Sequence, residues 1–104
     1  MAKINVQPGI CGLVSDIEVT SDDGMTAQIN VETQCPHIKT MAEQVPSVDG
    51  YTECFTKYGD GAIALAAKAH CQHGACPVPT AILKGVEVAC SLALPKDVTI
   101  SIEK

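Results

Sequence analysis

Residues 12–33 read GLVSDIEVTSDDGMTAQINVET and decide the fold of this 104-residue chain. Apolar and polar side chains alternate on both sides of the central Ser21-Asp22-Asp23-Gly24 stretch. A period of two is typical of strands that bury one face and expose the other. The segment therefore predicts a β-hairpin, with strands over residues 12–20 and 25–33.

The register of this hairpin follows from its apolar residues, which must all lie on one face of the sheet. Pairing Ser21 with Met25 satisfies this condition and leaves Gly24 at the left-handed position of a three-residue loop. Continued along both strands, this register places Cys11 opposite Cys35. Opposed side chains have Cβ atoms ~5 Å apart, and a slip of two residues would still leave the cysteines diagonal neighbours. We therefore expect these two thiols to meet at the open end of the hairpin.

The flanking sequence adds three helices and two further strands. The predicted elements are a first strand through Ile4 and Val6, helices over residues 36–45, 61–70 and 77–94, and a last strand through Val98, Ile100 and Ile102. Residues 51–59 have no regular pattern and predict an irregular segment. Together these elements predict a single domain over residues 1–104 with an α+β fold. We expect a two-layer sandwich in which about three helices cover one face of a mainly antiparallel sheet, built from the hairpin and the N- and C-terminal strands.

Composition excludes several classes of function. The formal net charge is −5, and all seven basic residues are lysines. This charge argues against nucleic-acid binding, which needs a basic surface. No apolar stretch is long enough for a signal peptide or a membrane span, so we expect a cytoplasmic protein that does not bind membranes. Structural disulfides are rare in that compartment, and cysteine-rich sequences there are more often metal-binding or redox-active.

Two of the six cysteines directly precede a proline, in Cys35-Pro36 and Cys76-Pro77. Proline is well placed at the first position of a helix, and the residue before it is pushed out of the helical region. Each of these cysteines is therefore predicted to cap a helix N-terminus. The free N–H groups and the positive end of the helix dipole favour a thiolate at such a position.

These observations predict a metal site made of dispersed cysteines. Cys11, Cys35 and Cys76 are the expected ligands, with Cys54 as the first choice of fourth ligand and Cys71 or His73 as the others. Sulfur ligands suit an iron–sulfur cluster, and zinc is the alternative cofactor. The expected role is electron transfer, cluster delivery or regulation of a protein partner, with no catalytic residues. A homodimer is left open.

Two other functions are compatible with the same cysteines. One is a thiol redox or sulfur-transfer protein, in which Cys76 is the reactive thiolate and Cys35 or Cys11 the resolving partner. The other is a small interaction domain whose cysteines are reduced and buried, since free cysteine behaves as a small hydrophobic residue. Cys90 lies on the packing stripe of the last helix and is predicted to belong to the core.

Several short segments resemble a known group of proteins. They are Pro8–Gly12, Cys35, Ala75–Pro79, Ile82–Lys84, Glu87-Val88 and Leu92–Val98. In these segments the chain is similar to a small family of uncharacterised single-domain proteins from anaerobic prokaryotes. The resemblance implies no established activity. An anaerobic setting would favour oxygen-sensitive clusters and free thiols over disulfides.

Overall fold

The structure is a computed structural model that describes residues 1–104. In chain order its elements are β1 (Ala2–Val6), β2 (Ser15–Thr20), β3 (Thr26–Thr33), α1 (Pro36–Glu43), β4 (Ser47–Asp49), α2 (Gly50–Phe55), α3 (Ala62–His70) and α4 (Val78–Ala89). The strands form one antiparallel sheet in the order β1-β2-β3-β4. None of the helices combines the length and the apolar character that crossing a membrane requires.

One face of the sheet is buried and the other is open, as the alternating pattern requires. Along β2, Ile17 and Val19 are buried while Asp16 and Glu18 are exposed. Helix α4 packs across β1 and β2, helix α1 packs on β3, and α3 packs on α1 and α4. A single apolar core lies between the sheet and the helices. The predicted α+β two-layer fold is therefore confirmed.

Gly85 allows α4 to lie close to the sheet. A Cβ atom at this position would be 2.6 Å from Cδ1 of Ile4 and 2.8 Å from Cγ2 of Val19. Both separations are shorter than a carbon–carbon contact, so only glycine lets the helix backbone approach this closely. The contact fixes α4, and the chain that leads into it, against β1 and β2.

The observed hairpin register differs from the predicted one by two residues. Ser15 pairs with Thr33, and Ile17 pairs with Val31. The connecting loop spans residues 21–25, since β2 ends at Thr20 and β3 begins at Thr26. The Asp23 carboxylate stabilises this longer loop by accepting the N–H groups of Met25 at 2.9 Å and Thr26 at 2.8 Å. A two-residue shift keeps the apolar faces together, which is why the alternation alone did not reveal it.

The predicted C-terminal strand is wrong. Residues 95–104 have no regular secondary structure and are exposed. The fourth strand is instead β4, which the sequence did not predict because it has only three residues and lies between Pro46 and Gly50. Two backbone hydrogen bonds fix it beside β3, from Ile29 N–H to the Pro46 carbonyl and from Gly50 N–H to the Met25 carbonyl.

Helix boundaries also differ from the prediction, by one or two residues in α1 and α3 and by more in α2 and α4. Part of the segment expected to be irregular forms α2, where the Asp49 carboxylate caps the helix by accepting the Thr52 N–H. The last helix is shorter than predicted, since it begins at Val78 and ends at Ala89. Its N-cap is Pro77, so Cys76 lies one residue before the cap and not at it.

Candidate functional site

Cys35 occupies the predicted N-cap position of α1. Its backbone is extended, Pro36 follows it in the first helical position, and its side chain makes no capping hydrogen bond. The Cys35 N–H donates to Oγ1 of Thr33, which in turn lies 2.7 Å from Oγ of the buried Ser15. The end of the hairpin therefore fixes the backbone that carries this thiol.

Cys71 lies at the C-terminal end of α3, beside α1. It is the C-cap residue of α3, and its N–H donates to the Ala67 carbonyl. The Cys71 Sγ is 3.8 Å from Sδ of Met41, a fully buried residue of α1. The packing of α3 on α1 thus brings a thiol and a thioether into contact.

Cys71, Cys76 and Cys35 form a group, which we call the thiol cluster. Burial raises the pKa of the Cys71 thiol, and the neighbouring Cys76 and Cys35 raise it further by electrostatic repulsion. Cys76 reaches this position through a turn in which its N–H donates to the His73 carbonyl at 3.4 Å. All three side chains are partly buried and pack against the core. Cys35 precedes α1, Cys71 follows α3 and Cys76 lies shortly before α4, so each of the three thiols is at or next to a helix end.

Cys11 does not join the thiol cluster. It is exposed, and it lies in a turn where the Gly12 N–H donates to the Gly9 carbonyl. Strand β2 begins only at Ser15, and the last paired residues are Ser15 and Thr33. The predicted pairing of Cys11 with Cys35 is therefore wrong, because the hairpin ladder ends before it reaches either cysteine.

Cys54 and Cys90 form a second, separate pair. Cys90 is buried, as predicted, and its Sγ lies 4.0 Å from the Met25 carbonyl oxygen. Burial raises the pKa of the Cys54 thiol. Repulsion from Glu87, Cys90 and Glu53 raises it further. The first choice of fourth ligand therefore has Cys90, and not Cys35, among its electrostatic neighbours.

A groove on the helical side connects the two groups of thiols. It has a volume of about 650 Å³, and Cys54, Cys71 and Cys76 all line it. His73 lies on its wall, together with the lysines Lys57, Lys68 and Lys84. Lys84 is paired with Glu87 at 2.8 Å. The groove thus gives a ligand access to three thiols and two lysines that form no ion pair.

The side chains are not gathered tightly enough for a single metal ion. No group of three or more His, Cys, Asp or Glu side chains has the spacing that holds such an ion. All six cysteines are free thiols.

The sequence analysis ranked Cys71 only as an alternative fourth ligand and did not place it in the thiol cluster. The one sequence signal for its position was Met41, which lies on the buried stripe of α1 and contacts Cys71. That signal becomes informative only once α1 and α3 are known to pack together.

Comparison with known proteins identifies the family but no activity. The model described as "Family of unknown function (DUF6951)" matches residues 2–102, and the chain belongs to this family. No curated protein and no solved structure matches the chain.

Proposed function

We propose that this protein is a cytoplasmic metal-binding protein that holds an iron–sulfur cluster through dispersed cysteines. The thiol cluster of Cys35, Cys71 and Cys76 forms the centre of the proposed site. The observation that carries the proposal is that all three thiols lie at or next to the ends of α1, α3 and α4, where Cys76 and Cys35 are close enough to raise the pKa of Cys71. Thiolates are the ligands that iron–sulfur clusters and zinc prefer.

The ligand chemistry favours a cluster over zinc, because the thiol cluster is all sulfur and the chain carries further cysteines. Zinc would need sulfurs ~4 Å apart around one ion, at Zn–S bonds of about 2.3 Å. A cluster is several ångströms across and can link thiols that do not touch one another.

The fourth ligand comes from the groove. Cys54 and His73 both line it beside Cys71 and Cys76. The geometric argument for Cys11 as a metal ligand no longer holds, because Cys11 lies in the exposed turn between β1 and β2. The proposed protein carries electrons, delivers its cluster or regulates a protein partner, and performs no catalysis of its own.

Reconstitution under anaerobic conditions tests the proposal. The protein is purified without oxygen and supplied with ferrous iron and sulfide, and iron, zinc and acid-labile sulfide are measured per chain. We expect stoichiometric iron and sulfide, and a loss of at least tenfold in Cys35→Ser, Cys71→Ser or Cys76→Ser. A folded, colourless and metal-free product would contradict the proposal.

The matched control is Cys11→Ser, which changes an exposed cysteine outside the thiol cluster. We expect this variant to retain its iron and sulfide. If it lost them as completely as Cys71→Ser does, Cys11 would be a ligand too, and the thiol cluster alone would not be the site.

Thiol–disulfide exchange is a second candidate, favoured by the proximity of Cys71 and Cys76 beside an open groove. The Cys76 thiolate would attack a disulfide of a partner protein and release one partner thiolate. The Cys71 thiolate would then attack Cys76 in the mixed disulfide and release the second one. Two electrons and two protons pass to the partner, and a Cys71–Cys76 disulfide remains.

With a small-molecule disulfide, Cys71→Ser should trap the mixed disulfide on Cys76, as mass spectrometry would show.

A further inference from the structure

The segment of residues 95–104 carries the sequence pattern of a strand but has no partner. Its apolar residues Val98, Ile100 and Ile102 alternate with polar residues and are 63%, 72% and 89% exposed. β-Branched residues at every second position favour a strand. A row of such residues left in water is unusual in a soluble chain and typically marks an interaction surface.

The sheet has an unpaired edge that matches this segment in length. β1 is the first strand of the order β1-β2-β3-β4, so only its side facing β2 is hydrogen-bonded. The N–H and C=O groups along its other side can pair with a further strand. β1 has five residues, the same number as Val98–Ile102. The opposite edge, β4, has only three residues and runs directly into α2.

We propose that residues 98–102 of one chain add a strand to the outer edge of β1 in a second copy of the same chain. The exchange is reciprocal, so that a two-fold dimer contains two such pairings. In each chain the segment is exposed and pairs with no strand. The dimer therefore pairs the outer edge of β1 with residues 98–102, both of which are unpaired within a single chain.

The side-chain pattern of the two strands is complementary. The face of β1 that carries Ala2, Ile4 and Val6 is directed at the helices. Adding the new strand places Val98, Ile100 and Ile102 on that same face, where they extend the apolar layer. This arrangement removes three exposed apolar side chains per chain from water.

Charge complementarity favours the same arrangement on the open face. Lys3 of β1 is exposed there. Asp97 and Glu103 directly flank the added strand, one at each end, and have the opposite parity to Ile100. A carboxylate is therefore near Lys3 whether the added strand runs parallel or antiparallel to β1. Opposite charges on neighbouring strands are favourable, whereas like charges are not.

Sedimentation equilibrium of the full chain, reduced and metal-free, tests the proposal first. We expect a mass about twice the 10.9 kDa of one chain. Ile100→Asp puts a charge into the buried face of the added strand and should weaken the dimer at least tenfold. The matched control Thr99→Asp changes the next residue, which faces the open side, and should leave the dimer intact. A dimer that Ile100→Asp does not weaken would overturn the proposal, because another surface would then hold it.

Hydrogen exchange identifies the pairing itself. In the wild-type dimer we expect slow exchange at the amides of residues 98–102, and at least tenfold faster exchange there in Ile100→Asp. A monomer with a protected segment would show pairing with its own β1, and a monomer with an unprotected segment would show no strand at all. Either result would overturn the proposal. Cys71→Ser should remain dimeric, which keeps this test independent of the metal site.

Discussion

At the scale of a single residue, Asp23 stabilises the hairpin loop through hydrogen bonds to its backbone. Its carboxylate accepts backbone N–H groups from Thr26 and Met25, and these hydrogen bonds lower the pKa of the group. Since the native pKa lies below the unfolded value, the carboxylate stabilises the fold at neutral pH. That contribution is lost as the pH falls through the native pKa, below about 4.

Replacing Asp23 by Asn tests this pH dependence, since the amide oxygen can still accept a hydrogen bond but carries no charge. We expect the wild type to be the more stable protein at pH 7, and the difference to shrink as acid protonates the Asp23 carboxylate. Urea denaturation at several pH values measures it. Asp22→Asn is the control, because Asp22 is exposed in the same loop but is not the acceptor of these N–H groups. A difference that is constant with pH would contradict the assignment.

Glu53 links α2 to α3 through its carboxylate. It is 7% exposed, and its oxygens accept the N–H groups of Ala62 at 2.6 Å and Ile63 at 3.4 Å, in the first turn of α3. Gly61, the N-cap of α3, has no side chain of its own for this purpose. A distant carboxylate therefore performs the task that a Ser or Asp at the N-cap usually performs.

Glu53→Ala should remove this cap and leave the start of α3 without acceptors. We expect a loss of about 1–3 kcal/mol in the free energy of unfolding, as for other buried donors that lose a partner. Thermal and urea denaturation measure the loss. Glu43→Ala, at the exposed end of α1, should change stability by no more than about 0.5 kcal/mol. Equal effects of the two substitutions would show that the Glu53 hydrogen bonds contribute nothing.

At the scale of an element, the contact between α4 and the sheet leaves no room for a side chain at Gly85. Gly85→Val would place three additional carbons where a single Cβ is already 2.6 Å from Ile4 and 2.8 Å from Val19. Overpacking of this kind costs about 1–3 kcal/mol, which we expect as a lower free energy of unfolding in urea. Gly74→Val is the control, since a Cβ there has no atom within 4 Å. A neutral Gly85→Val would mean that α4 moves away from the sheet without cost.

Elements with a clear period were predictable from the sequence, and those that depend on tertiary contacts were not. The alternation in β2 and β3 identified both strands and their buried faces. The two-residue register shift depends on the Asp23 hydrogen bonds, which no periodicity reveals. β4 forms because β3 offers it a partner, whereas residues 98–102 have the pattern of a strand and no partner within the chain.

The candidate site was predicted in part for the same reason. Cys35 was correctly placed at a helix cap, since Pro36 fixes the start of α1 locally. Cys11 was misplaced because the predicted ladder was continued beyond Ser15 and Thr33, where the pairing ends. Cys71 was underrated because its neighbours come from the packing of α1, α3 and α4. The position of a cysteine at a helix cap could be predicted from a short sequence, but the cysteines that lie near it in space could not.

At the scale of the whole molecule, different surfaces carry different kinds of residues. The open face of the sheet is polar, with Asp16, Glu18 and Glu32 exposed to solvent. Five of the six cysteines pack against the core on the helical side, and only Cys11 does not. The unpaired edge of β1 is a third surface, distinct from the thiol groove. A partner can therefore occupy the edge without covering the thiol cluster.

This separation predicts the order in which four of the six thiols react with iodoacetamide in the native, metal-free protein. Cys11 is exposed and should react first, whereas Cys54 and Cys71 should be slow at pH 8 because their raised pKa values leave little thiolate. Buried Cys90 should react only when the chain unfolds. Peptide mass spectrometry over a time course measures each rate, and in denaturant all six rates should converge. Native Cys71 reacting as fast as Cys11 would show that this thiol is neither buried nor repelled by its neighbours, and the thiol cluster would lose its physical basis.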